Sequence, residues 1–225
     1  MPGRQRATNN AEMRKNGPGA GADIFDTASS SSILRPSQTV TTLDLTNQFL
    51  IAMPSMGDPN FTRTVTYVCA HNAEGALGIV INRPMEVELD EVFSQMDIQC
   101  NLPDANHMTI YDGGPVHQDR GFILHSPAND WESTMHVTND IAVSTSRDIL
   151  EAIGNGSGPE ECLVALGYAG WGAGQLEAEM SQNAWLSGPA QSEIIFRIPA
   201  KERWMRAAAA LGVDLTSMSD DVGHA

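Results

Sequence analysis

Cys69 and His71 are the first pair to weigh for chemistry, because an imidazole beside a thiol can hold it as a reactive thiolate. They lie two apart at the end of an apolar, β-branched run, so strand geometry puts both side chains on one face. That spacing would suit a hydrolase or redox enzyme. No third catalytic member stands nearby, and the plainer reading is preferred: Cys69 is a small buried hydrophobe and His71 bonds to backbone at a strand end. The other histidines, His107, His117, His125, His136 and His224, offer no HExxH and no i, i+4 pair. Cys69, Cys100 and Cys162 form no CxxC and are too scattered for a disulfide framework. We therefore expect no catalytic residue, no metal site and no cofactor.

Two glycine-rich stretches could hold a ligand. Asp112-Gly113-Gly114-Pro115 reads first as a tight turn, since glycine supplies positive φ and proline locks its own φ at the turn's end. Its functional variant is an anion held on exposed N–H groups with Arg120 close by; without GxGxxG or a Lys-Ser/Thr continuation, no nucleotide loop is expected. The second, Gly167 to Gln175, joins strand to helix through four glycines with Tyr168 and Trp171 between them. The aromatics either wall a pocket above the helix N-terminus or plug the core. A basic group, Arg197, Lys201, Arg203 and Arg206, could meet an acidic partner but reads more simply as the solvated face of a helix.

The elements that must position these residues alternate short β-rich runs with short amphipathic helices, an α+β pattern. Strands are expected at 49–53, 64–70, 76–82, 108–111, 121–125, 135–137, 141–144, 162–168 and 193–196. Leu89, Val92, Phe93 and Met96 form one helical stripe, with Asp90, Glu91 and Gln95 facing water. Thr145 and Asp148 have capping-box spacing for a second helix that Gly154 and Gly156 stop. A third helix is expected over 174–183, with Glu177 and Glu179 complementing its dipole. A fourth runs from Pro199 to Leu211 and ends at Gly212, with Trp204 pinning it to the body.

The chain has 225 residues, 41% hydrophobic and 18% charged, which fits a globular protein with tails and excludes collagen-like or fully disordered classes. Residues 1–40, rich in Gly, Ala, Asn and Ser, read as a disordered N-terminal tail of net charge +2. That leaves −17 on the remainder of a chain whose total is −15. Such a surface repels polyphosphate, so direct nucleic-acid binding is disfavoured. Residues 213–225 read as a flexible C-terminal tail. No signal peptide or membrane span is expected, and the sparse cysteines suit a reducing cytoplasm.

Six blocks in order carry a resemblance: 49–54 with 58–61, 68–72, 75–84, 111–116, 120–125 and 167–171. Over about residues 43–211 the chain resembles the bacterial YqgE/AlgH family, also called UPF0301 or DUF179. The resemblance implies one α+β domain, at 41–212, with a bifurcated, partly barrel-like sheet surrounded by helices, and it brings no cofactor and no reaction. Some members carry the label of transcriptional regulator through a link to alginate production, yet this chain has no helix-turn-helix signature and no basic recognition helix. We therefore expect a cytoplasmic regulatory or binding protein whose effect on gene expression is indirect, through a protein or small-molecule ligand. Its expected contact surface is His71, Asn72, Asn82, Gly113, Gly114, Arg120, Tyr168, Gly170, Trp171 and Gln175, provided that these blocks converge. A Cys69–His71 enzyme and a structural protein-interaction module are the alternatives.

Overall fold

The computed structural model describes residues 44–101 and 108–215. The expected N-terminal tail and all but the start of the expected C-terminal one lie outside the described residues. The strands are β1 (Gln48–Ala52), β2 (Val65–Asn72), β3 (Gly75–Val80), β4 (Pro84–Glu88), β5 (Thr109–Asp112), β6 (Val116–Ser126), β7 (Thr134–His136), β8 (Ala142–Ser144), β9 (Glu161–Gly172) and β10 (Trp185–Pro189). The helices, numbered among the described residues, are α1 (Leu89–Gln95), α2 (Arg147–Asn155), α3 (Gln175–Ser181), α4 (Ser192–Phe196) and α5 (Ala200–Ala210). The strands form one curled sheet in the order β10-β1-β2-β3-β9-β6-β8-β7, and β5 joins β9 to β4. All pairs are antiparallel except β5 with β9.

The fork expected of the sheet is built on β9. Its first half pairs with β5 along one edge, its second half pairs with β3 along that same edge, and β6 holds the other. Gly113 fills the crotch: its N–H donates to the Leu166 carbonyl at 2.8 Å and its carbonyl accepts from Val80 at 2.9 Å. A Cβ there would stand 2.3 Å from the Gly167 carbonyl oxygen, so only glycine lets the backbones approach this closely.

Gly167, at φ 73°, also reverses the side-chain alternation of β9. Before it, Leu163 and Ala165 face one core while Val164 faces another; after it, Tyr168 takes the first face and Ala169 and Trp171 the opposite one. A single left-handed residue thus lets one strand serve three apolar clusters. The first cluster lies inside the curl under α4 and α5, the second under α1 and α2, and the third under α3. Leu215, fully buried in the first, shows that the packed body extends that far.

Three expectations are corrected. Residues 193–196, read as a strand from Ile194-Ile195, belong to α4, because a short apolar run has no period of its own and Gln191 starts a helical turn by accepting from Ile194 and Ile195. The glycine-rich stretch after 167 is strand through Gly172 rather than loop, and α3 starts only at Gln175. The Thr145–Asp148 capping box does not form: Ser146 is the N-cap of α2 and gives its hydroxyl to Asp148, while Thr145 is engaged by Arg120 and Ser133. Strands β4 and β10 were not expected. In β10 the Gly188-Pro189 pair reads as a breaker, yet Gly188 is what makes room for Leu211, whose Cδ2 a Cβ would meet at 2.2 Å.

Candidate functional site

A β-bulge between Val68 and Ala70 decides the fate of the Cys69–His71 pair. Before it, Val65, Tyr67 and Cys69 point into the first core; beyond it, His71 stands in a cross-strand row with Ala76 and Trp171 on the opposite face. The expected shared face is therefore corrected. Cys69 is 2% exposed, and burial pushes its thiol well above the ordinary thiol range. His71 Nδ1 accepts from the Leu45 N–H at 3.1 Å, which fixes the tautomer so that Nε2–H donates to Glu177 at 3.2 Å. Both ring nitrogens serve to tie β2 to the chain before β1 and to α3.

On the same face, Glu179 collects three donors. Its Oε2 accepts from the indoles of Trp171 and Trp185, each at 2.9 Å, and its Oε1 accepts from the Gln175 amide at 3.0 Å. Gln175 Oε1 in turn accepts from the Gly172 N–H, closing the turn into α3. Phe61 stacks on Trp171 at 6.0 Å. The aromatics plug a core here, and Trp171 is 5% exposed. Sequence spacing could have found the Gln175–Glu179 pair, an i, i+4 contact on one helix face. Trp185 had no local signal, since it arrives on β10.

The other expected residues separate. Asn82 holds the start of β2, accepting from Val65 N–H at 2.8 Å and donating to the Arg63 carbonyl at 2.9 Å. Gly113 and Gly114 sit at the fork with their N–H groups given to Leu166 and Asp112. Asn72 forms an Asx turn with Glu74 at the β2–β3 hairpin. Arg120 lies on a bulge where four residues of β6, between Val116 and Gly121, oppose the single Gly167 of β9. It donates to Thr145 at 3.0 Å and stacks over Phe122. Arg203 departs furthest from expectation. It is 4% exposed rather than solvated, donating to the carbonyls of Ile81 and Ile198 with Tyr111 against its guanidinium. Trp204 pins α5 as expected, donating to the Ala52 carbonyl at 2.9 Å.

What does come together is an uncovered end of the first sheet face. Ala70, Leu77 and Gly170 form a cross-strand row, Tyr168 and Val116 the next, and all five are half-buried or exposed. They line a shallow hollow of about 490 Å³ with Asn72 and Trp171 at its edge. Tyr168 and Leu77 continue into a second hollow beside His117, Phe122 and Arg120.

A buried polar chain lies deeper. His125 Nδ1–H donates to the Pro127 carbonyl at 3.0 Å, leaving Nε2 to accept from Ser144 at 2.9 Å, and Thr134 bonds Ser144 at 2.8 Å. His125 and Ser144 are both 0% exposed. Burial holds the His125 imidazole below its ordinary 6.5, against the opposing effect of the Pro127 bond. Among the described residues, no group of three or more His, Cys, Asp or Glu side chains could hold a metal ion, and no helix is long and apolar enough to cross a membrane.

The AlgH-like family model (DUF179) matches residues 49–216. A UPF0301 protein of Thioalkalivibrio sulfidiphilus is 56% identical over 182 residues, covering 81% of this chain and 97% of that protein. Another, from Nitrosococcus oceani, is 50% identical over 179 residues and covers 80% and 96%. The solution structure of AlgH from Pseudomonas aeruginosa superimposes at TM-score 0.69 with 50% identity, covering 82% of this chain and 98% of that one. A Corynebacterium diphtheriae crystal structure, at 20% identity and TM-score 0.61 over 77% and 90% of the two chains, shares the fold. The forked, curled sheet and the match across most of the described body agree: the chain belongs to the AlgH-like, UPF0301 family.

Proposed function

We propose that this protein is a cytoplasmic regulatory or binding protein that acts by docking a partner on the uncovered sheet face around Leu77, Tyr168 and Gly170, and that any effect on transcription is indirect. One observation carries the reading: α4 and α5 cover the first core elsewhere, but its sheet face runs on past them as an apolar, half-exposed surface. Leaving such surface in water costs about 25 cal/mol per Å², so it suits a protein or an apolar ligand as cover. The net charge of −15 argues against DNA as that cover. The Cys69–His71 enzyme has lost its geometry, and the AlgH relative adds its printed name but no reaction.

The test is Leu77→Glu, a charge placed at the centre of the face on a side chain that is only partly buried. Purified wild type should retain a stoichiometric partner or ligand that the folded variant loses. Equal retention by both would reject the face, and a salt-sensitive mobility shift with bare duplex DNA would reject the indirect mode.

A further inference from the structure

We propose that the cleft between α1, α2 and the bulged start of β6 binds a small amphiphilic monocarboxylate, with Arg120 taking the carboxylate and the apolar lining taking an acyl chain. It adjoins the docking face proposed above but does not depend on it. The cleft encloses about 630 Å³, within the roughly 300–1,000 Å³ of small-molecule sites. Its accessible apolar lining is the half-buried Val92, Met96 and Leu166, over a floor of Ile123, Leu150 and Val164 that is almost fully buried. A site of this kind needs a few polar groups to fix orientation, and Arg120 and Thr145 supply them, alongside Gln95, Gln118 and Ser146.

Arg120 is the group that points to an anion. Its Nη2 donates to the neutral Thr145 hydroxyl at 3.0 Å, and among the described residues no carboxylate lies within ion-pair distance of it. The other arginine of the cleft, Arg147, is committed: it pairs with Glu151 at 2.6 Å and donates to the carbonyls of Met96 and Asp97 at the end of α1. Among the described residues Arg63, Arg83 and Arg203 likewise lack an ion pair, but Arg83 and Arg203 give their donors to backbone carbonyls and Arg63 lies over Trp204, whereas Arg120, over the Phe122 ring, borders an apolar cleft. Most of its five N–H donors remain for a planar acceptor, and a carboxylate matches that fork. The charge count also sets an upper limit on the ligand. Asp119 lines the same cleft, so the site has no surplus of positive charge beyond the one guanidinium and repels a polyphosphate.

The experiment uses the full chain labelled with ¹⁵N and two probes of equal apolar length, sodium octanoate and 1-octanol, titrated at neutral pH. Octanoate should bind about tenfold tighter or more, the value of one charge-assisted bond, and should shift the amides of Gly121, Thr145, Ser146 and Leu166. Arg120→Met should erase the preference for octanoate, and Arg120→Lys should keep part of it. Equal affinity for the two probes, unchanged octanoate binding in Arg120→Met, shifts confined to the Leu77–Gly170 face, or no binding of octanoate at all would each overturn the proposal. If Arg120→Met does not fold, the octanoate-to-octanol ratio on the wild-type chain decides alone.

Discussion

Two indoles and one amide converge on the Glu179 carboxylate, and both tryptophans are almost fully buried, at 5% and 3% exposure. Truncating that acceptor leaves two buried N–H donors without a partner, and each such loss costs about 1–3 kcal/mol. Glu179→Ala should therefore lower unfolding stability by about 2–4 kcal/mol, read from urea melts followed by tryptophan fluorescence. Glu179→Gln keeps an acceptor oxygen and should cost less. The same logic explains why His71 is a tether rather than a reagent: with Nδ1 on a backbone N–H and Nε2 on Glu177, nothing is left to take a proton from a thiol.

Among the elements, the turns that follow β5 and β9 show how glycine acts by two separate mechanisms. Gly113 at the fork has no room for a Cβ, which would meet the Gly167 carbonyl at 2.3 Å. Gly174, the N-cap of α3, has open space around it but sits at φ 73°. Alanine at Gly113 must push two strands apart and should cost about 2–3 kcal/mol, as overpacking does. Alanine at Gly174 should cost about 1–2 kcal/mol through backbone strain alone. Hydrogen exchange separates the two: Gly113→Ala should speed exchange at Val80, whose N–H bonds to it, whereas Gly174→Ala should affect only the start of α3. Equal, localised effects would contradict a fork held open only by the missing side chain.

For the whole molecule, pH acts through the buried His125. Its folded form resists protonation while the unfolded chain takes up a proton near 6.5, so the unfolded state binds more protons below that pH. Stability should be steady above about pH 6.5 with respect to this group and fall as pH drops from there toward the lower folded value. His125→Asn should remove that slope in denaturation measured across pH 5–8. A second loss belongs to a more acid window. At Asp148, burial that would raise the carboxyl is outweighed by hydrogen bonds from Ser146, Glu132 and Ile149, so its contribution is lost only as pH falls below about 3.8.

Local pattern was enough for much of this protein. Leu89, Val92, Phe93 and Met96 place α1 because helix period depends only on neighbours in sequence, and Gly156 and Gly212 mark helix ends because positive φ is a property of one residue. The family, and with it the forked sheet, was legible in six ordered blocks. Tertiary structure alone decided which side chains share a face. A one-residue bulge at Cys69 and a single left-handed glycine at 167 each invert every side chain beyond them, and pairing with neighbouring strands is what sets them. It likewise buried Arg203, brought Trp185 to Glu179, and left Arg120 without an acid partner, because these contacts join residues far apart in the chain.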